Sequence, residues 1–110
     1  MTDCLFCRMA AGEIPITLLY EDDFLFVIND IRPKAKTHLL VISKQHIPSL
    51  NEVTTADAPL LGHMMTSLHT IAKAQGLSSF RTIVNSGQGS GQEIFHLHFH
   101  LLGGTQLPGF

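Results

Sequence analysis

The run Ile94-Phe95-His96-Leu97-His98-Phe99-His100-Leu101-Leu102 limits what this chain can fold into more than any other stretch. Side chains of a β-strand point alternately to opposite faces. As a strand, 94–102 puts His96, His98 and His100 on one face and Phe95, Leu97, Phe99 and Leu101 on the other. The apolar face demands a core, which a tag-like histidine tract would not supply. Strand rise spaces neighbouring histidines by about 6–7 Å. That spacing suits a row reading one extended ligand and keeps adjacent rings from bonding each other. Near neutral pH an imidazole can serve as nucleophile, acid, base, phosphate partner or metal ligand. The plainer alternative is a set of buried histidines satisfied by backbone.

With 110 residues, the chain is expected to form one domain over 1–110. Hydrophobic residues make up 45% and charged residues 15%, enough for a small core. A net charge of -2 without a long basic run argues against a nucleic-acid-binding surface. Arg32, Lys34 and Lys36 read as a solvated loop that a phosphate-bearing ligand nearby would welcome. No stretch approaches the roughly 18 apolar residues of a membrane helix. The opening Met-Thr-Asp-Cys-Leu-Phe-Cys lacks a basic segment followed by a long apolar one, so a cytoplasmic location is expected. Two cysteines argue against a disulfide scaffold.

Residues 4–11 read as a short helix stopped by Gly12. The apolar runs 16–20 and 24–28, separated by Glu21-Asp22-Asp23, predict a hairpin. Residues 30–36 form a polar loop, 37–43 a buried strand and 48–53 a short helical turn. Leu60, Leu61, Met64, Met65, Leu68, Ile71 and Ala72 recur with helical spacing as one apolar stripe. Thr55 or Asp57 can cap that helix and Gly76 can end it, with His63 and His69 left at the surface. Residues 80–85 and 94–102 complete five strands. The expected fold is α+β: a five-stranded antiparallel sheet with one long and one short helix, the helices covering one sheet face.

Between the last two strands, Ser86-Gly87-Gln88-Gly89-Ser90-Gly91 leads into a strand rather than a helix. It therefore fails the context test for a dinucleotide fingerprint. Its main-chain N–H groups can still form a nest for phosphate oxygens, and a flexible hairpin loop is the plainer reading. Cys4-x-x-Cys7 has metal-ligand spacing but needs two further ligands; otherwise the two are reduced, buried thiols.

The segment His96-Leu97-His98-Phe99-His100-Leu101-Leu102 resembles the signature of the histidine triad (HIT) superfamily, His-φ-His-φ-His-φ-φ with φ apolar. The likeness extends over nearly the whole chain and is similar in order to the Hint branch. It includes Glu13-Ile14-Pro15, Tyr20-Glu21-Asp22-Asp23, Asp30-Ile31, Thr37-His38-Leu39-Leu40-Val41-Ile42, Val84-Asn85, Gly91-Gln92 and Gly103-Gly104. The resemblance implies a homodimeric nucleotide hydrolase or transferase acting on the α-phosphate of a purine nucleotide such as AMP, typically a nucleoside phosphoramidase. By position it makes His98 the nucleophile, passing through a nucleotidyl-imidazole intermediate. It makes His100 the phosphate partner, with His38 and His96 in support. It also implies Asp30 as a ribose contact and Asn85, Gly91, Gln92 and Glu93 as nucleotide contacts. Leu5, Phe6, Met9, Ile28 and Ile31 fall where the family builds its base pocket. Glu93 is a departure, since eukaryotic Hint proteins carry a serine there and bacterial relatives often a glutamate. The short C-terminus, Leu107-Pro108-Gly109-Phe110, differs as well.

Some superfamily members bind structural zinc through this cysteine pair, and the resemblance then implies Cys4, Cys7, His46 and His96 as ligands. Zinc would be structural, with none required for catalysis. Two other functions compete. One is a non-catalytic purine-nucleotide sensor or scaffold on the same fold. The other is a metal-dependent hydrolase with His96, His98 and His100 as ligands, which lacks a nearby carboxylate to complete it.

Overall fold

The computed structural model describes residues 3–110, so Met1 and Thr2 of the N-terminal run lie outside the described residues. Helix α1 (Leu5–Ala10) is followed by strands β1 (Tyr20–Glu21), β2 (Leu25–Asn29) and β3 (Thr37–Ser43). The long helix α2 (Ala58–Ala74) then leads to β4 (Phe80–Ile83) and β5 (His98–Gly103). The five strands form one antiparallel sheet in the order β1-β2-β3-β5-β4. The α+β architecture read from the sequence is the one observed. No described helix is long and apolar enough to cross a membrane.

Strand alternation sorts the core into two layers. Leu25, Val27, Leu39, Val41, Phe99 and Leu101 face α2 and pack on Met64, Leu68, Ile71 and Ala72. Phe26, Ile28, Leu40 and Ile42 face the other way and pack on Phe6 of α1. The two helices therefore lie on opposite faces rather than covering one. The continuous apolar run of β3 is the reason, because a strand buried on both faces needs a cover on each. Helix α1 is only six residues long and covers part of its face. The histidines of β5 lie on this incompletely covered side.

Gly76 closes α2 in the left-handed region at φ 75°. At Gly103 space is the constraint: an added Cβ would stand 2.9 Å from Leu77 Cδ1 and 3.0 Å from the Ser79 carbonyl oxygen.

Several boundaries differ from the sequence reading. The first hairpin strand is confined to Tyr20–Glu21, and Asp22 makes the turn, its Oδ1 accepting from the N–H groups of Phe24 and Leu25. Strand β4 ends at Ile83 rather than 85. Strand β5 begins at His98, not 94. Upstream of it the Leu97 carbonyl still accepts from the Ser43 N–H of β3, but the Leu97 N–H donates to the Ile47 carbonyl, so the ladder gives way to the loop after β3. Phe95 consequently leaves the apolar face and is half exposed. On α2, Met65 is 55% exposed and falls off the stripe. His63, expected at the surface, is half-buried: its Nε2 donates to Asp22 Oδ2 over 2.7 Å and its ring stands edge-on to Phe24.

Candidate active site

A cavity of about 590 Å³ opens between α1, the loop after β2 and the glycine-rich loop. Phe6, Met9 and Ile28 form an apolar end, while Asp30, His38, His98 and His100 line the polar end. Antiparallel register brings these groups together. Leu40 pairs with His100 and His38 with Leu102, so His38 and His100 lie diagonally across two strands on one face.

Their hydrogen bonds fix which nitrogen of each ring carries the proton. His98 Nδ1–H donates to the His96 carbonyl over 2.6 Å, leaving Nε2 as the bare lone pair. The Lys34 N–H donates to His38 Nδ1 over 3.0 Å, so His38 carries its proton on Nε2. That proton points at His100 Nδ1, 2.9 Å away, which leaves His100 protonated on Nε2. The row thus holds one acceptor nitrogen, on His98, and one donor, on His100. Adjacent rings in the row do not bond, as expected: His98 and His100 have centroids 5.2 Å apart.

Burial keeps these rings neutral. It lowers the pKa of His98 from 6.5, against the raising effect of its bond to the His96 carbonyl. Burial likewise lowers His38, opposed by Asp30. His100 falls to about 4, through burial first and then the neighbouring His98 and His38. Asp30 Oδ2 stands 3.3 Å from His38 Nε2 and 3.9 Å from His100 Nδ1, which is ion-pair geometry. With both rings neutral, these contacts are a hydrogen bond and a dipole contact rather than salt bridges.

Asp30, His38 and His100 are also close enough to hold a metal ion. The tautomer of His38 argues against that use. A metal-bound histidine normally donates from its other ring nitrogen, whereas His38 Nδ1 accepts from Lys34 and Nε2 bears the proton. The alternative triad of His96, His98 and His100 as metal ligands is not assembled either, because the His96 ring belongs to a separate cluster.

That cluster comprises Cys4, Cys7, His46 and His96. Cys4 Sγ lies 3.2 Å from His96 Nδ1, Cys7 Sγ 3.2 Å from His46 Nδ1, and the two Nδ1 atoms 3.1 Å apart. A tetrahedral zinc with bonds of about 2.0–2.3 Å separates its ligand atoms by roughly 3.3–3.8 Å. The four donors therefore fit such an ion after a small expansion. His96 Nε2–H donates to the Ser43 carbonyl over 2.6 Å, the outer support a metal-bound imidazole requires. Neither cysteine is in a disulfide. Burial, then the contact with Cys4, raises the Cys7 thiol to about 11, so a metal must displace its proton.

The glycine loop bends through Gly87 at φ 96° and Gly91 at φ 98°, around a short 3-10 turn at Gln88–Ser90. Gln92 reaches the cavity wall, but its side chain is committed elsewhere. Its Oε1 accepts from the Gly87 N–H, and its Nε2 donates to the carbonyls of Pro48 and Ile94. It clamps the loop from a position that also lines the cavity, where a nucleotide contact is expected. Asn85, Gly91 and Glu93 line the cavity, with Glu93 exposed, and Ile31 stands at the rim, 91% exposed. Phe6 is buried, edge-on to the rings of both His96 and His98. The Lys34 main chain was missed by the sequence reading, since a backbone donor leaves no mark in side-chain identity.

Fold and site together define an α+β domain whose sheet presents histidines to a cavity of about 590 Å³. Residues 3–109 match the family model described as scavenger mRNA decapping enzyme C-term binding. Protein HitA of Neisseria gonorrhoeae is 48% identical over 104 residues, covering 94% of this chain and 97% of that one. The purine nucleoside phosphoramidase of Escherichia coli K12 is 37% identical over 107 residues, covering 96% and 90%. Among solved structures, a HIT family hydrolase from Legionella pneumophila superposes with a TM-score of 0.93 at 45% identity, covering 96% of each chain. A histidine triad protein from Clostridium difficile gives 0.95 at 41% identity, covering 100% of this chain and 97% of that one. The chain belongs to the histidine triad superfamily.

Proposed function

We propose that this protein hydrolyses purine nucleoside phosphoramidates at the α-phosphate, with His98 as nucleophile. The observation that carries the reading is the 2.6 Å bond from His98 Nδ1–H to the His96 carbonyl. It holds the ring in the one neutral tautomer whose free lone pair, on Nε2, is available to the cavity. Relatedness to a purine nucleoside phosphoramidase supports the substrate class. His98 Nε2 attacks phosphorus as the P–N bond to the amine breaks, and the amine leaves with the electron pair and takes up a proton from solvent. Water then cleaves the nucleotidyl-imidazole, releasing the nucleoside monophosphate and free His98. His100 Nε2–H steadies a phosphoryl oxygen, and the N–H groups near Gly91 supply further donors. The base packs among Phe6, Met9, Ile28 and Ile31, and Asp30 accepts from the ribose hydroxyls. Asn85 and Glu93 contact the nucleotide from the loop side.

Zinc at Cys4, Cys7, His46 and His96 would be a closed structural ion that leaves catalysis to the histidine row. The protein is a homodimer in this reading, paired through α2 and the edge strand β4, where Phe80 and Ile83 are 39% and 38% exposed. Light scattering at micromolar concentration should give twice the mass of one chain.

The test is turnover of an adenosine 5′-phosphoramidate, with and without chelator, by the wild type and by His98→Ala. Chelator-resistant turnover that falls by roughly 10³-fold or more in His98→Ala is expected. Turnover unchanged in the variant would sink the nucleophile assignment. Nucleotide binding without any turnover would replace the enzyme by a sensor.

A further inference from the structure

One proton in this site faces two acceptors. His38 Nε2–H lies 2.9 Å from His100 Nδ1 and 3.3 Å from Asp30 Oδ2. The ring has no second proton to offer while its Nδ1 accepts from the Lys34 N–H. Asp30 is itself held in place. Its N–H donates to the His38 carbonyl over 2.9 Å, and its Oδ1 accepts from the Arg32 N–H over 2.8 Å. Oδ2 is therefore the carboxylate oxygen directed at the histidines, and Asp30 lines the cavity.

From this geometry we infer that Asp30 is a positioning residue for the chemical step as well as a sugar contact. Sugar hydroxyls donating to Oδ2 withdraw it from His38, commit the His38 proton to His100 Nδ1, and thereby orient His100 Nε2–H on the phosphoryl oxygen. No covalent bond changes; one hydrogen bond is redistributed. The inference rests on the nucleotide reading above and adds a substrate class: ribonucleoside over deoxyribonucleoside phosphoramidates, discriminated in kcat and not only in KM.

The experiment compares adenosine, 2′-deoxyadenosine and 2′,3′-dideoxyadenosine 5′-phosphoramidates at saturation, on the wild type and on Asp30→Asn. For the wild type, kcat should fall about tenfold once the hydroxyls are lost, the rate equivalent of one hydrogen bond. In Asp30→Asn, kcat should be low for every sugar, with the ribo-to-deoxy ratio near one. A purely anchoring carboxylate would raise KM and leave kcat unchanged, and that result overturns the inference while sparing the proposed function. A second measurement needs no turnover: ring ¹⁵N spectra of His38 and His100 with saturating adenosine or 2′,3′-dideoxyadenosine. Adenosine alone should shift both rings. Equal shifts with both nucleosides, or none with either, also overturn the inference. Absence of turnover in the first experiment bears on the proposed function alone.

Discussion

At the scale of single residues, the site turns on where three imidazole protons sit. A neutral ring carries one proton, so whatever bonds one nitrogen sets the character of the other. A main-chain carbonyl fixes His98 and a main-chain N–H fixes His38. This makes a definite claim about pH. His100 has a folded pKa of about 4, and its Nδ1 must stay unprotonated to accept from His38. The acid limb of kcat/KM should therefore lie below the 6.5 of a free imidazole, because His98, which must keep a free lone pair, and His38 are held below 6.5 as well; a limb at 6.5 would contradict the relay. Stability carries the same sign. Above pH 6.5 the ring is neutral in folded and unfolded chains alike, and the group costs nothing. As pH falls from 6.5 towards about 4, only the unfolded chain takes up the proton, so stability declines across that window. Urea melts at pH 7.5 and 5 should show the loss, and His100→Gln should reduce it.

At the scale of elements, Gln92 separates what the sequence reveals from what it withholds. The glycine loop and the strand after it were legible, because glycine spacing and side-chain alternation are local patterns. The job of a buried amide was not, because its partners at Pro48 and Gly87 become neighbours only after folding. The same holds for His38 and His100, whose bond depends on the register between β3 and β5. The start of β5 was misplaced for a related reason: Ile94 to Leu97 alternate like a strand, yet the Ile47 carbonyl takes the Leu97 N–H. Gln92→Ala removes three hydrogen bonds from a buried position. At about 1 kcal/mol each, the variant should lose roughly 2–4 kcal/mol in urea unfolding. A variant with wild-type stability and a raised KM alone would make Gln92 a ligand contact rather than a clamp.

At the scale of the whole molecule, the helix on the site face is small and far from its supports in sequence. Helix α1 is one and a half turns long, too short to hold itself together by propensity. It is fixed by Phe6 in the second core layer and by Cys4 and Cys7, which meet His46 from the loop after β3 and His96 from just before β5. The same helix supplies Phe6 to the rings of His96 and His98. A zinc ion there would bind three remote segments into one support for the nucleophile's wall, while the layer under α2 shares none of those residues. The effect of removing it should accordingly be local. Stripping the metal, or making Cys4→Ser with Cys7→Ser, should lower the melting temperature by at least about 5 °C, a loss of roughly 1 kcal/mol in a domain of this size. Amide exchange should quicken in residues 3–12 and 44–48, with α2 and β3 still protected. Uniform acceleration throughout the sheet would mean that the cluster supports the global fold instead. Unchanged exchange and melting, in protein free of stoichiometric zinc, would reduce it to two buried thiols beside two histidines.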